Sequence, residues 1–353
     1  MRILYVARDF GAEKTGANQV MSRNLNALHE IAGTDNVIEY YVPKTNLKTV
    51  ALSMLRLGSY GVSKRHEKNI IRLVKNVKPD YVFFEGSLFG SLFKKLKTSS
   101  SQTLLFAHNL DTELSKQEIS SRSSLIGFMK YKFVKFNEKR SAEYADYLIC
   151  LNERDSRGFN EMFGRKADII LPITFPSRDL DICIESNQAP YYLFVGSDFF
   201  PNVEGVKWFI ENVAPKVKAD FRIVGTCCKN PELKNILLPR NVKLVGYAKD
   251  LNDEYSRAAG VIAPIFKGSG MKTKTIEAMS FGKSIFGTDE AFAGVECDYE
   301  KIGGLCNTAE DFIDALSNHN ANVINAYSLA TFKKGFSDDS FITRLENFLK
   351  THN

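Results

Sequence analysis

Short β-rich apolar runs alternate with helical stretches along almost the whole chain, and no other feature restricts the fold as strongly. ILYVA (3–7) is a strand pattern. After the polar loop DFGAEKTGA, NQVMSRNLNALHEIA sets Val20, Met21, Leu25, Leu28 and Ile31 on one helical face. NVIEYYV (36–42) reads as the next strand and roughly 64–78 as a helix, followed by the runs DYVFFEG, TLLFAHN and DYLICLN. The second half repeats the pattern with YYLFVGS (191–197), ADFRIVG (219–225), NVKLVGY (241–247), GVIAPI (260–265) and KSIFGT (283–288). Runs buried on both faces and separated by helices mean parallel sheets, and the repeated strand–helix–strand order means a doubly wound α/β architecture.

A chain of 353 residues is long enough for two such domains. Between the halves, LPITFPSRDLDICIESNQAP holds Pro172, Pro176 and Pro190 without clear periodicity and reads as a linker over 171–190. The expectation is therefore two Rossmann-like domains, 1–170 and 191–336, facing a cleft, with ligands beyond the C-terminal ends of the strands.

Composition excludes several classes. With 44% hydrophobic and 25% charged residues, the chain is neither disordered nor fibrous. No run approaches the roughly 18 apolar residues that span a bilayer. MRILYVARDF enters a strand pattern directly, with an apolar run too short for a secretion signal. The cysteines at 150, 183, 227, 228, 297 and 306 contain no CxxC and read as reduced thiols of a cytoplasmic protein. Net charge is +6, but residues 1–170 carry +9 and residues 171–353 carry −3. A basic first half points to an anionic partner.

The most informative segment is PIFKGSGMKTKTIEAMSFGKSIFGT, Pro264 to Thr288. A buried strand stops at Pro264, and Gly268, Ser269 and Gly270 form a loop whose backbone can approach a ligand closely. A helix follows from near Met271 to Gly282. Free N–H groups at its start favour a phosphate or diphosphate, and Lys267, Lys272 and Lys274 add cations. Glu277, about two turns along, is placed to accept hydrogen bonds from a ribose diol. A plain tight turn with solvated lysines is the alternative. The dinucleotide fingerprint GxGxxG is absent after Tyr5 and Val195, and a GxxxxGK[ST] phosphate loop would need glycine where Glu277 stands.

FVGSDFFPNVEGVKWFIENVAPKV, then RIVG, then NVKLVGYAKDLNDEYSRAAGVIAPIFKGSGMKTKTIEAMSFGKSIFGT, resembles the nucleotide-sugar-binding domain of retaining GT-B glycosyltransferases of family 4. The resemblance covers most of 191–297. It implies a donor site in the second domain, an acceptor site in the first, and a last helix, about 337–353, returning to the first domain. It implies ribose binding by Glu277, and diphosphate binding by the GSG loop with Lys272 and Lys274. Gly246 and Tyr247 would pack by the donor base, and Gly196 ends the first strand of that domain. The sequence departs from the commoner pattern at Ser269, where many relatives carry a second glutamate, and at Asp198 to Asn202, where many carry arginine and lysine. Transfer with retention, in which a diphosphate oxygen acts as base, needs no carboxylate pair. No Asp-x-Asp stands at a strand end, since Asp179-Leu180-Asp181 falls in the linker, so the expectation is a metal-independent enzyme without a cofactor.

In the first half, Thr15-Gly16 precedes a helix where the family's glycine loop faces the donor phosphates. His108 and Asn109 end a buried strand and match the family's HN segment, which implies a role for His108 in positioning the transferred sugar or acceptor. Glu85, Asp111 and Glu113 are weaker candidates for orienting an acceptor hydroxyl. SRSSLIGFMKYKFVKFNEKR (121–140) carries Arg122, Lys130, Lys132, Lys135, Lys139 and Arg140 against Glu138 alone, interleaved with Phe128, Tyr131, Phe133 and Phe136. It reads either as a packed helix or as a helix touching an anionic membrane surface, which would make the protein peripheral on the inner face. No nucleic-acid module accompanies it. In SDDSFITRLENFLKTHN, Ser337 or Asp338 caps a helix with Phe341, Ile342, Leu345 and Leu349 at helical spacing. The expected activity is sugar transfer from a nucleotide-diphospho-sugar to a glycan, lipid-linked or protein acceptor in polysaccharide biosynthesis. The alternatives are a GT-B sugar-nucleotide 2-epimerase and a non-catalytic partner subunit.

Overall fold

A computed structural model describes residues 1–9, 16–121, 125–178, 190–268, 270–320 and 324–352. The chain divides into two compact units, Met1–Pro172 with Phe341–Asn353, and Ile173–Ser340. The first unit holds β1 (Ile3–Arg8), α1 (Gly16–Ala32), β2 (Val37–Val42), α2 (Leu47–Leu55), α3 (Lys64–Val77), β3 (Tyr81–Glu85) and α4 (Gly90–Leu96). It continues through β4 (Gln102–Ala107), α5 (Asp111–Ser121), α6 (Leu125–Tyr144), β5 (Tyr147–Cys150), α7 (Glu153–Phe163) and β6 (Ile169–Ile170). The second unit holds β7 (Tyr191–Val195), α8 (Phe200–Asn212), β8 (Asp220–Val224), α9 (Pro231–Lys234), β9 (Val242–Gly246) and α10 (Leu251–Arg257). After these come β10 (Ala258–Ala263), α11 (Thr273–Ser280), β11 (Ser284–Gly287), α12 (Tyr299–Ile302), β12 (Gly303–Leu305), α13 (Ala309–Ser317) and α14 (Ala326–Gly335); the last helix, α15 (Asp338–Thr351), belongs to the first unit from Phe341 onward.

Both sheets are six-stranded and parallel throughout, in the orders β2-β1-β3-β4-β5-β6 and β12-β11-β10-β7-β8-β9. The doubly wound α/β reading therefore holds. β1 is buried at all six positions, as a strand covered by helices on both faces must be. The first core gathers Val6, Val82, Phe84, Leu105 and Leu148 with Phe89, Phe93 and Phe159; the second gathers Phe194, Ile223 and Ile262 with Val206, Phe209 and Phe312.

Two strands, β6 and β12, are too short to leave an alternating or apolar signature. Of the basic stretch 121–140, Ser121 is the last residue of α5 and 125–140 lie on α6; residues 122–124, Arg122 among them, lie outside the described residues. Ser337 caps α15, its Oγ accepting from the Ser340 amide at 3.2 Å. Within the first unit, the Tyr81 hydroxyl donates to the Leu349 carbonyl at 3.0 Å, and Arg23 lies 3.6 Å over the Phe341 ring.

Candidate functional site

In a doubly wound sheet the crevice forms where the strand order reverses, because loops there leave on opposite faces. In the second unit that point lies between β7 and β10, which pair in parallel with Val261 opposite Leu193. The loop after β10 is the glycine turn, and the loop after β7 begins at Gly196. Topology thus selects the segment that the sequence motif singled out.

Gly268 and Gly270 have φ of 139° and 69°, values that a side chain would strain, so the turn needs glycine at both. Ser269 lies outside the described residues. Met271 is buried and anchors the turn. The following helix starts at Thr273 and ends at Ser280, shorter at each end than Met271 to Gly282. Its N-cap, Lys272, places no side-chain acceptor over the first-turn amides, which leaves the positive end of the helix for an anion. The Lys272 ammonium donates to the Gly270 carbonyl at 2.8 Å and pairs with Glu290 at 2.6 Å, so it braces the turn. Lys274 points elsewhere. It is only 8% exposed, donates to the Asn202 side-chain oxygen at 2.7 Å and stands 4.1 Å from the Phe194 ring centroid. Burial, with the Lys272 charge adding to it, pushes its amine down to about 7. A buried amine with one neutral partner is poised to take a proton when an anion arrives. Lys267, by contrast, is exposed and pairs with Glu204 at 3.0 Å.

Glu277 stands one turn after Lys274 on α11 and is half-buried. Burial raises its carboxyl above the usual range, while the Tyr255 hydroxyl and Arg178 pull it back. Tyr255 stacks on Phe281 with centroids 5.0 Å apart, and Arg178 covers the same Phe281 ring at 3.9 Å. Arg178 is held by Asn252 at 2.9 Å and Ser280 at 3.2 Å. The carboxylate therefore has a fixed cationic and aromatic surround and keeps acceptor capacity toward solvent.

Three strand ends converge beside this pair. The Gly196 amide donates to Val224, and the Gly225 amide donates to Gly246 at 2.6 Å. A Cβ at Gly225, where φ is 113°, would sit 2.1 Å from the Gly196 carbonyl oxygen. Gly246 has φ of 73° but open space around it, and Tyr247 after it is exposed. Gly225→Ala is therefore expected to lower the unfolding free energy by about 2–4 kcal/mol, combining backbone strain with an unavoidable clash. Gly246→Ala, strained but unclashed, should cost about 1 kcal/mol. Urea denaturation of both variants checks this, and equal losses would contradict it.

The first unit's candidates form a separate polar cluster at the ends of β3 and β4. Buried Glu85 is its hub: one oxygen accepts from Tyr5 at 3.1 Å and Asn24 at 2.8 Å, and the other meets His108 Nε2 at 2.6 Å. His108 packs edge-on to Phe106, and Asn109 follows, half-buried. Asp111 opens α5 and accepts from the Ser87 hydroxyl at 2.5 Å; Glu113 sits in the same first turn. Gly16 opens α1, and Thr15 lies outside the described residues, as do Asp179, Leu180 and Asp181.

Glu138, the lone acid of the basic stretch, turns inward from α6. Its oxygens accept from the Asp111 and Thr112 amides, both at 2.8 Å, capping α5 from another helix. Burial and the nearby Asp111 charge push its carboxyl up to about 7, and burial raises Asp111 as well. A carboxyl raised in the folded state binds its proton more tightly there than in the unfolded chain. Its contribution to stability is full below about 4.5 and is lost as pH rises toward about 7. Glu138→Gln removes that loss. Its stability relative to the natural protein should improve by roughly 1–3 kcal/mol between pH 5 and 7.5. Parallel unfolding curves at the two pH values would contradict the assignment.

Several of these residues carried no sequence signal. Asn202 occupied a position noted only for lacking a cation, yet it binds Lys274. Arg178, Tyr255 and Glu290 reach the site from distant segments, and spacing along one helix cannot reveal them.

Residues 189–322 match the profile of the family described as Glycosyl transferases group 1. No curated protein sequence matches the chain. Among solved structures, the lipopolysaccharide outer core galactosyltransferase WaaB is similar at 14% identity and a TM-score of 0.67, over 100% of both chains. Sucrose-phosphate synthase from Thermosynechococcus elongatus gives 12% and 0.70 over 99% of each chain. HepE of Anabaena, solved with UDP-glucose, gives 11% and 0.66 over 99% of each. The chain thus has the paired parallel sheets of the GT-B glycosyltransferase fold, and its 189–322 region matches glycosyl transferases group 1.

Proposed function

We propose that this protein is a glycosyltransferase that moves a sugar from a nucleotide-diphospho-sugar to a glycan, lipid-linked or protein acceptor, retaining anomeric configuration and using no metal. The observation that carries the reading is the second unit's switch point, where a two-glycine turn, an uncapped helix start, buried Lys274 and half-buried Glu277 lie on one short segment. The helix amides and the Lys274 ammonium take up the charge that grows on the departing diphosphate, the largest demand of the chemistry. Glu277 accepts the ribose hydroxyls, and Gly246 with Tyr247 flanks the base. Lys272, paired with Glu290, fixes the turn and adds positive potential. The Glu85–His108 pair, with Asn109 and Asp111 beside it, is assigned to the acceptor or the transferred sugar.

UDP-glucose, the ligand solved with HepE, is the first donor to test. Incubation with candidate glycan and lipid-linked acceptors should release nucleoside diphosphate and yield a product with the donor's anomeric configuration. Epimerised sugar nucleotide without diphosphate release would replace the proposal with a 2-epimerase. Failure of every nucleotide-sugar to bind would leave a non-catalytic subunit.

A further inference from the structure

α2 is built inside out. Asn46 and Thr49 form a reciprocal capping box that fixes its start, so the helix is well specified. Its one buried residue is Ser53, whose hydroxyl is satisfied by Val50 and Gly61. Its leucines face outward: Leu47 is 86% exposed and Leu55 84%, with Leu52 between them and Leu57 just beyond. Leu47, Ala51 and Leu55 follow one another at helical spacing with Leu52 beside them, all exposed, so an apolar stripe flanked by Lys48 points to solvent.

The start of α6 does the same. Leu125 and Ile126 are both 77% exposed, and Phe128 and Met129 about half. The helices meet through a small cluster in which Val50 and Met54 pack against Phe133, Val134 and Tyr60. Single exposed leucines are ordinary, but seven large apolar side chains on two joined helices, with Leu57 just beyond one of them, are the kind of grouping that marks an interaction surface.

Charge identifies what covers this face. Residues 43–58 contain no acid. In 125–140 the only acid is Glu138, which is fully buried. Lys48, Lys132 and Lys139 are exposed around the apolar residues, and Lys132 reaches 5.2 Å from the Phe128 ring. Leucine and aromatic side chains ringed by long cations, without anions, suit a bilayer interface: the apolar groups enter the acyl boundary and the lysines extend to phosphates. Among the described residues no helix is long and apolar enough to cross a membrane. We infer that the outer face of α2 and the first turns of α6 form a docking surface for an anionic lipid bilayer. This does not rest on the glycosyltransferase reading, since the lipid contact and nucleotide binding are measured separately.

Flotation of the full chain with vesicles tests it. The protein should rise with phosphatidylcholine vesicles containing a third phosphatidylglycerol, and far less with phosphatidylcholine alone. Leu52→Glu with Leu55→Glu, both solvent-facing, should weaken partition about a hundredfold while the thermal unfolding curve stays in place. Lys132→Gln with Lys139→Gln should weaken it roughly tenfold to thirtyfold and flatten its salt dependence. No flotation with anionic vesicles, or flotation untouched by the leucine variant, would overturn the inference. So would a dimer in sedimentation that the leucine variant splits while no vesicle binds, because the occupant would then be a second copy.

Discussion

Lys274→Met is expected to slow turnover of the nucleotide-sugar, read as nucleoside diphosphate release, by roughly 10²–10³-fold while the fold survives. The magnitude follows from removing a preorganised donor in a dry site, where leaving-group charge has no water to take it up. The fold should tolerate the change because Met fills the space beside Phe194 and removes an amine whose burial disfavours its charge. The pH behaviour has a definite sign. The free amine titrates at about 7, well below the ordinary lysine value, so near pH 8 most free protein holds it neutral. An arriving diphosphate raises its proton affinity. Binding should then take up a proton, and affinity should fall as pH rises above about 7, by up to tenfold per pH unit. Turnover within about threefold of the natural protein, with the same pH slope, would remove Lys274 from the chemistry.

Glu277→Ala should weaken UDP binding about a hundredfold, the loss expected for two hydrogen bonds to a charged acceptor. Glu277→Gln, which keeps one acceptor oxygen, should lose about tenfold. Arg178 is also held by Asn252, Ser280 and the Phe281 ring, so the variants should leave the surround in place. The discriminating comparison is 2′-deoxy-UDP. It should bind the natural protein more weakly than UDP does, but bind Glu277→Ala no differently. If both proteins discriminate equally, Glu277 does not read the ribose, and its burial beside Tyr255 and Arg178 is structural.

These two side chains also show how far the sequence could be read. The doubly wound class was legible because buried parallel strands such as ILYVA and GVIAPI leave continuous apolar runs between helical segments. Gly268, Gly270, Lys274 and Glu277 were legible because they lie on one strand–turn–helix unit, where spacing implies position. What spacing cannot give is direction. Lys272 and Lys274 looked equivalent, yet one is tied to Glu290 and the other is buried against Phe194 and Asn202. Likewise Glu138 stood out only as the one acid in a run of cations, with nothing to show that the fold turns it inward to cap α5. The α2 leucines carried no reading in the sequence at all. A capped apolar segment suggests a core helix, and only three-dimensional packing shows its stripe facing out.

The most direct test of the central claim is a calorimetric titration of UDP into the full chain near pH 8, run in two buffers of different ionisation heat. The account predicts saturable binding at one site, with uptake approaching one proton per UDP in the natural protein and close to none in Lys274→Met. Absence of saturable binding would contradict the nucleotide site itself. Binding with no proton uptake would contradict the role given to the buried lysine.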